Sequence, residues 1–307
     1  MQPMITILGP TATGKTRLAT RLATLCNGEI VSADSRQVYQ GMNIGTGKDL
    51  KDYRIDGKAI PFHLIDIAIP GTEYNVFQYQ QAAVEAIKNI QNQGKTVILC
   101  GGSGMYIEAL LKGYKLFPVP ENQSLRSSLE SKTDDELITL LLNYKSLHNT
   151  TDIDTRERML KALEIEVYYS QHPKLSQFAQ AIPSTIFGLY GNREVIRSKI
   201  THRLRQRLSE GMIEEVQQLL DQGVNPEQLL RYGLEYKYIT LYLQRSITYE
   251  EMFRLLNIAI HQFSKRQMTW FRKMERSGFA IHWIDIERSE EEKLAEMMAG
   301  IVVSNPK

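Results

Sequence analysis

A glycine-rich stretch near the N-terminus carries the clearest chemical signal in the chain. The sequence GPTATGKT has the spacing G-x-x-x-x-G-K-[ST] and lies between an apolar run and a helical pattern. Backbone amides of such a loop point at phosphate oxygens, and the N-terminus of the following helix adds positive potential. The spacing assigns Lys15 to the terminal phosphates and the Thr16 hydroxyl to Mg²⁺, whereas an ordinary glycine turn is the simpler alternative. The predicted phosphate loop consists of Gly9, Pro10, Thr11, Ala12, Thr13, Gly14, Lys15 and Thr16.

A carboxylate, Asp34, follows the second apolar run in the stretch SADSRQVY. A carboxylate beside a phosphate site can ligate Mg²⁺ or accept a proton. Asp34 could equally cap a helical turn, and the spacing alone does not separate these roles. Arg36, Gln37 and Tyr39 come next and are polar groups suited to the edge of a ligand.

A second glycine-rich turn, GGSGMY, follows the apolar run KTVILC. Gly101, Gly102 and Gly104 permit close approach of the backbone, and Ser103 offers a hydroxyl group. A simple strand-to-helix turn capped by Ser103 is the alternative.

A basic and aromatic stretch, HQFSKRQMTWFRK, lies late in the chain within a long helical pattern. Cations interleaved with Trp270 and Phe271 suit a nucleic-acid backbone with stacked bases. The alternative places the aromatic side chains in the core and the cations in solvent. Residues 193–207 form another basic run, with six Lys or Arg residues against Glu194 alone, although most such runs are solvated helix faces.

The order of elements predicts an α/β fold with a doubly wound parallel sheet. Apolar runs alternate with helical patterns: MITILG, GEIVSAD, PFHLIDI and KTVILCGGSG read as strands, and STIFGLYG and FAIHWIDI as later ones. Ligands of such sheets bind at the carboxyl ends of the strands. We therefore expect the phosphate loop, Asp34 and the Gly101–Gly104 turn to converge.

The second half of the chain reads as mainly helical. Residues 118–183 lack a clear strand pattern and are predicted to form a helical insertion domain, so that 1–117 and 184–307 form the catalytic core. The later helices are predicted at 193–209, 211–222, 227–243 and 249–276.

The composition fits a soluble, cytoplasmic and monomeric protein. The 307 residues carry a formal net charge of +2. No apolar run approaches the ~20 residues that span a bilayer, and no signal-peptide pattern is seen. The two cysteines, Cys26 and Cys100, have no metal-ligand spacing and are expected to be buried.

Taken together, these motifs resemble those of bacterial tRNA dimethylallyltransferases, also called tRNA isopentenyltransferases. The resemblance covers about residues 4–283 and implies a P-loop NTPase-like core. The motifs that carry it, in order, are GPTATGKT, DSRQVY, GTGK at Gly45–Lys48, FHLIDI, GGSGMY, KALE and KRQMTWFRK.

The resemblance implies an activity and a role for each motif. The family transfers a dimethylallyl group from dimethylallyl diphosphate to the exocyclic amine of the adenosine just 3′ of the anticodon, in tRNAs that read codons beginning with U. The loop would then hold the donor's diphosphate rather than ATP, with Mg²⁺ at Thr16. Asp34 would be the base, and Ser103 and Lys15 would be further catalytic residues.

The resemblance also implies an RNA-binding surface, in which the insertion clamps the anticodon arm. The residues implied to bind tRNA are Asp34, Ser35, Arg36, Gln37, Ser103, Arg126, Glu157, Arg158, Met159, Leu160, Lys161, Lys265, Arg266, Gln267, Thr269, Trp270 and Arg272.

The chain departs from the family pattern at several positions. The usual GTAKP reads GTGKD, and the usual GYR reads Gly233-Leu234-Glu235, which replaces a possible phosphate contact by an acid. Lys199-Ile200 replaces RI, Asn192 replaces a frequent aspartate, Ser103 replaces threonine, and Lys161 replaces an arginine and so loses its bidentate fork.

Two other functions remain open from sequence. A small-molecule P-loop kinase would release ADP from ATP with some metabolite. A non-catalytic RNA-binding protein with a relic loop would bind RNA without turnover.

Overall fold

The computed structural model describes residues 4–114, 116, 119–145, 151–172 and 180–304. The chain divides into two compact units, one of Met1–Gly113 with Ala181–Lys307 and one of Tyr114–Gln180. We call them the core unit and the insertion unit. The predicted insertion, 118–183, overlaps the second of them.

The core unit is built on a parallel sheet whose described strands follow the order β5-β2-β6-β1-β7-β8. The central strands are buried along almost their whole length because helices cover both faces of the sheet. This confirms the predicted α/β class. The strands are β1 (Met4–Leu8), β2 (Gly28–Ala33), β3 (Arg54–Ile55), β4 (Lys58–Ala59), β5 (Phe62–His63), β6 (Thr96–Gly101), β7 (Ser184–Tyr190) and β8 (Ile281–Asp285).

One strand is much shorter than predicted, and one hairpin was not predicted. In the run PFHLIDI only Phe62–His63 pairs with β2, because Leu64 and Asp66 have φ of 65° and 56°, which an extended strand cannot adopt. Strands β3 and β4 form a small antiparallel hairpin. Its turn, Asp56-Gly57, has the positive φ at both residues that two-residue hairpin loops favour.

Twelve α-helices are assigned in the described residues. Most predicted helices are confirmed; α2, for example, begins with a capping box between Asn75 and Gln78. The helices are α1 (Lys15–Leu25), α2 (Val76–Asn92), α3 (Gly104–Lys112), α4 (Gln123–Leu129), α5 (Asp134–Tyr144), α6 (Arg156–Gln171), α7 (Arg193–Ser209), α8 (Met212–Asp221), α9 (Pro226–Tyr232), α10 (Leu234–Leu243), α11 (Tyr249–Arg276) and α12 (Glu290–Ser304). None of the helices in the described part of the chain has the length and apolar character that a membrane span requires.

Two sequence predictions about the core unit are wrong. The helix predicted at 227–243 is two helices, because Gly233 has φ of 152° and interrupts the helical backbone. A Cβ at Gly233 would lie 3.2 Å from the Arg36 side chain, so the break also gives that side chain room. Cys100 is buried as expected, but Cys26 is partly exposed.

The described residues of the insertion unit form helices with a small core of their own. Helices α4, α5 and α6 pack around Leu137, Leu141, Met159 and Leu163, all nearly fully buried. A capping box at Thr133 starts α5 and separates it from α4.

Candidate active site

A cavity of about 340 Å³ lies at the carboxyl ends of β1, β2 and β6. The structure therefore brings together the three motifs that were expected to converge. The cavity is lined by residues 11–16 of the phosphate loop, 34–37 after β2, 100–103 at the end of β6 and just beyond it, Gly45, Thr46 and Gly47 of the GTGK loop with the nearby Asp49, and Lys199, His202, Arg203, Arg207, Glu235, Phe263 and Gln267.

The phosphate loop has the backbone that its glycines allow. Gly14 has φ of 77°, in the left-handed region, and directly precedes α1. Gly9 packs so closely on β7 that a Cβ would lie 2.9 Å from the carbonyl oxygen of Leu189. The Thr13 hydroxyl donates to the carbonyl oxygen of Pro10 at 2.8 Å and braces the turn.

Lys15 is folded back onto its own loop. Its Nζ donates to the carbonyl oxygen of Pro10 at 2.7 Å. Burial lowers the pKa of Lys15 to about 8, although the charge of Asp34 acts in the opposite direction. An anion at this position would restore the full charge of the ammonium group.

Asp34 lies just beyond the end of β2, and no helix follows it. Its Oδ1 accepts a hydrogen bond from the backbone amide of Arg36 at 3.0 Å, which forms a local turn. The helix-cap alternative is therefore excluded. The carboxylate lines the cavity together with Lys15 and Thr16.

Ser103 connects the two loops that follow β2 and β6. Its Oγ accepts from the backbone amide of Ser35 at 2.9 Å and donates to the Ser35 hydroxyl at 3.2 Å. It makes no side-chain cap for α3. The approach of the two strand ends depends on Gly101, where a Cβ would overlap the carbonyl of Ala33.

Gln267 of α11 joins the phosphate loop to the second glycine-rich turn. Its Oε1 accepts from the amide of Thr11 at 2.9 Å, and its Nε2 donates to the carbonyl oxygen of Gly102 at 2.9 Å. The side chain is buried. Sequence resemblance placed Gln267 among the RNA-binding residues, whereas the structure shows its amide engaged by the protein backbone.

The other residues of this helix divide between the core and solvent. Phe271 is fully buried, and the indole of Trp270 packs where a Cβ of Gly104 would lie. Lys265 and Arg266 are exposed. This is the second alternative left open by the sequence, with the aromatic rings packed inward and the cations in solvent, and binding of RNA by these cations stays a prediction.

A second cavity, of about 550 Å³, lies between α7 and α11 on the exposed side of α11. Its lining includes Lys265, Thr269 and Arg272, and the Arg193 and Arg197 side chains of α7. Cations around a partly apolar depression suit an RNA backbone with a stacked base.

The residues after Asp34 are held by partners inside the core unit. The Arg36 guanidinium lies 3.0 Å from a carboxylate oxygen of Glu235 and stacks over the Phe263 ring at 4.5 Å. Gln37 donates from Nε2 to the carbonyl oxygen of Gly47 at 3.1 Å. These side chains therefore shape the cavity wall.

The GTGK loop is anchored by a buried carboxylate that the sequence did not single out. Glu215 accepts from the amides of Asn43, Ile44 and Gly45 at 2.7 to 3.0 Å. The Tyr236 hydroxyl donates to the same carboxylate at 2.7 Å. The loop is thus fixed against α8 and α10.

Two arginines of α7 were also missed as cavity residues. Arg203 and Arg207 are one helical turn apart, and both approach the carboxylate of Asp49. Their i, i+4 spacing within the basic run was a signal that they share one helix face. Only the fold shows that this face is turned toward the phosphate loop.

In the insertion unit, Arg126 is the centre of a cluster of carboxylates. Its Nε lies 2.9 Å from Glu164, and its Nη1 lies 2.8 Å from Glu157. Hydrogen bonding to Arg126 is the main reason why the pKa of Glu164 is lowered to about 2. The guanidinium predicted to contact RNA is therefore held in place by acids of its own unit.

The turn of α6 from Glu157 to Lys161, predicted to bind RNA, presents only part of its residues to solvent. Arg158 is exposed and pairs with Asp154 at 2.9 Å. Lys161 donates to the carbonyl oxygen of Val119 at 3.3 Å. Met159 is 2% exposed and belongs to the core of the unit, so its side chain is a packing residue.

The described residues contain no group of three or more His, Cys, Asp or Glu side chains that would hold a metal ion. Mg²⁺ commonly takes one or two protein ligands and completes its shell with phosphate oxygens and water. The Thr16 hydroxyl and the Asp34 carboxylate, both in the cavity, fit that kind of site.

Several solved structures are similar to this chain along nearly its whole length. The full-length tRNA isopentenylpyrophosphate transferase of Bacillus halodurans superposes with a TM-score of 0.72 at 29% identity, covering 99% of this chain and 98% of that one. A eukaryotic dimethylallyltransferase acting on tRNA superposes with a TM-score of 0.81, covering 100% and 81%. Its 21% identity makes it evidence for the fold alone.

Sequence comparison agrees with the structures. A tRNA dimethylallyltransferase of Bacteroides fragilis is 55% identical over 95% of both chains. One from Parabacteroides distasonis is 56% identical over 96% of both. The family model described as IPP transferase matches residues 37–274. On this match, and on relatives that are more than half identical along nearly the whole chain, the protein belongs to the IPP transferase family.

Proposed function

We propose that this enzyme transfers the dimethylallyl group of dimethylallyl diphosphate to the exocyclic amine of the adenosine just 3′ of the anticodon, in tRNAs that read codons beginning with U. Prenyl transfer to tRNA follows from membership of the family and from relatives named tRNA dimethylallyltransferase. The donor and the target nucleotide are the proposed part.

One observation carries the proposal: a phosphate loop and a carboxylate share one cavity. The loop residues Lys15 and Thr16 and the carboxylate of Asp34 all line it. The loop amides suit a diphosphate, and Asp34 lies where a nucleophile beside that diphosphate would lose its proton.

The chemistry requires little beyond these groups. The bond from the allylic carbon to the diphosphate oxygen breaks, and the diphosphate leaves with the bonding electrons. The adenine amine forms the new carbon–nitrogen bond and passes its proton to Asp34. Lys15 and the loop amides stabilise the charge that develops on the leaving group.

Mg²⁺, held by the Thr16 hydroxyl and phosphate oxygens with Asp34 nearby, would neutralise part of the diphosphate charge. Lys15 would exchange its bond to the Pro10 carbonyl for one to the diphosphate. Ser103 acts on this chemistry by holding the loop that carries Asp34 to the turn after β6.

An adenine stacked in an anticodon arm is out of reach of such a cavity and must be flipped out. The exposed cations of α11, Lys265 and Arg266, and the basic cavity beside Arg272 suit the phosphates of the arm. In the insertion unit, Arg158 offers a further exposed cation.

The test uses dimethylallyl diphosphate and a synthetic anticodon stem-loop, with the product analysed by mass spectrometry of the nucleosides. We expect one dimethylallyl group on the adenosine 3′ of the anticodon, and none on a stem-loop with guanosine there. ATP should neither replace the donor nor be consumed. Release of ADP with a metabolite, or RNA binding without any transfer, would contradict the proposal.

A further inference from the structure

Arg207 is a buried arginine whose hydrogen-bonding capacity is not used up. Its side chain is 12% exposed and lines the cavity. Among the described residues, its Nη2 has no hydrogen-bond partner, and the Asp49 carboxylate oxygen lies 3.5 Å away. A buried donor that lacks a partner is uncommon and calls for an explanation, such as a ligand.

The Arg207 side chain depends on space left by Gly47. A Cβ at Gly47 would overlap Nη2 of Arg207, and the φ of 73° there disfavours other residues. Gly47 is one of the positions at which the chain departs from the pattern GTAKP. The final residue of that stretch is Asp49, so two substitutions in one loop contact the same guanidinium.

A third departure lies in the same cavity. Glu235, which stands where the pattern has arginine, lines the cavity and pairs with Arg36. The α10 side of the cavity thus carries an acid, while α7 contributes Arg207. The cavity therefore still contains a guanidinium group, but it is that of Arg207 on α7 and not that of an arginine at position 235 on α10.

Arg207 lies beside the phosphate loop. A small cavity of about 20 Å³ is lined by Thr11 and Ala12 of the loop and by Arg203, Arg207 and Glu235. Arg203 already pairs with Asp49, whereas the Arg207 side chain lines both cavities and its Nη2, packed against Gly47, has no hydrogen-bond partner among the described residues. A planar guanidinium is well matched to phosphate oxygens.

We propose that Arg207 is a further diphosphate-binding residue of this enzyme, whose guanidinium group donates a hydrogen bond to an oxygen of the donor's diphosphate. Gly47 gives the guanidinium its space, and Asp49 holds it in position. The inference rests on the proposed function, since it takes the diphosphate of the prenyl donor as the ligand.

The experiment compares Arg207→Met and Arg207→Lys with Arg205→Met in the full chain. Arg205 is two residues away on α7, is exposed and stacks over Phe253, so it is a matched control. Titration calorimetry with inorganic pyrophosphate and Mg²⁺ gives the affinity, and transfer kinetics give KM for the donor and kcat separately.

We expect Arg207→Met to weaken pyrophosphate binding and to raise the donor KM by about tenfold or more, as for loss of a charge-assisted hydrogen bond. Arg207→Lys should lie between this variant and the unmodified protein, because it keeps the charge and loses the fork. Arg205→Met should match the unmodified protein, and affinity for the stem-loop should not change in any variant.

Gly47→Ala should also weaken pyrophosphate binding, although by less than Arg207→Met. The double variant should bind pyrophosphate about as weakly as Arg207→Met alone, because both substitutions act through the same guanidinium group. Equal pyrophosphate affinity of Arg207→Met and the unmodified protein would overturn the inference even if transfer is observed. If the unmodified protein transfers no prenyl group, the proposed function fails, but the calorimetry still tests Arg207. Absence of pyrophosphate binding by the unmodified protein would overturn both.

Discussion

At the scale of single residues, the proposed chemistry depends on Lys15 and Asp34, which have different hydrogen-bond partners. Lys15 is partly exposed, and its Nζ donates to the carbonyl oxygen of Pro10. Asp34 is partly exposed in the cavity and receives one amide hydrogen bond. The Lys15 ammonium group is therefore available to bind an anion. The Asp34 carboxylate is available to accept a proton or to bind a cation.

The lowered pKa of Lys15 predicts a limit on activity at high pH. The group is charged below about pH 8 and becomes neutral as the pH rises through that value in the free enzyme. Transfer measured as kcat/KM for the donor should therefore fall above about pH 8. Lys15→Arg should be slower but should lose this falling limb, because arginine stays charged. A profile of the unmodified enzyme that stays flat to pH 9.5 would contradict this assignment.

Replacing Asp34 tests the proposed base. Asp34→Asn keeps the shape of the side chain and removes its ability to take the proton. Single-turnover transfer should slow by about 10²–10⁴-fold. Binding of the stem-loop, measured by fluorescence anisotropy, should stay within about twofold, and an equal loss of binding and rate would instead indicate a structural role.

At the scale of elements, α11 serves two sides of the molecule. Its buried face carries Gln267, which bridges the phosphate loop and the turn after β6. Its exposed residues include Lys265 and Arg266. One helix therefore positions the phosphate loop and exposes the cations that we propose contact RNA.

Adjacent substitutions in α11 should separate these roles. Gln267→Leu leaves the amide of Thr11 and the carbonyl of Gly102 without their partner, so the donor KM should rise severalfold. Arg266→Ala should leave the donor KM unchanged, weaken stem-loop binding, and reduce the slope of log K against log salt by about 1. The same phenotype from both variants would show that α11 does not divide its roles in this way.

The Arg126–Glu164 pair should stabilise the insertion unit. Glu164→Gln removes one partner of a buried pair, which typically costs about 3–5 kcal/mol, whereas Glu157→Gln removes an exposed partner worth about 1 kcal/mol or less. The amides of α4 and α6 in the full chain at pH 7 should exchange their hydrogens much faster in Glu164→Gln than in the unmodified protein, but not in Glu157→Gln.

The pH dependence of that pair follows from its pKa. The pKa of Glu164 is lowered to about 2 in the folded unit, from 4.5. Its stabilising contribution is therefore present above about pH 4.5 and is lost as the pH falls toward 2. Equal hydrogen-exchange rates in Glu164→Gln and Glu157→Gln at pH 7 would show that the Arg126–Glu164 pair contributes no net stability.

At the scale of the whole molecule, local pattern predicted the order of elements and the place of the site. The phosphate loop, Asp34 and the glycine turn could be found because each follows an apolar strand, and parallel strands end at one edge of the sheet. Gly233 is a residue type that often ends a helix, but the helical pattern continues on both sides of it, so one helix was predicted instead of two. No local feature of the sequence indicated the positive φ values of Leu64 and Asp66.

Residues that act through distant packing could not be predicted in this way. Glu215 anchors a loop about 170 residues earlier in the chain. Arg207 meets Gly47 only because α7 packs beside the phosphate loop. Gln267 was noticed within a basic motif, yet its bond to Thr11 spans 256 positions. These roles depend on tertiary contacts, so spacing within one segment carries no information about them.

The central claim is that the phosphate loop holds the diphosphate of a prenyl donor while Asp34 takes the proton of an adenine amine. The most direct test is a crystal structure with an unreactive thio-diphosphate analogue of the donor and an anticodon stem-loop. We predict diphosphate oxygens on the amides of residues 11–16, Lys15 turned from Pro10 toward them, and the Asp34 carboxylate about 2.6–3.2 Å from the exocyclic amine. A diphosphate bound elsewhere, or Asp34 turned away from the flipped adenine, would contradict the claim.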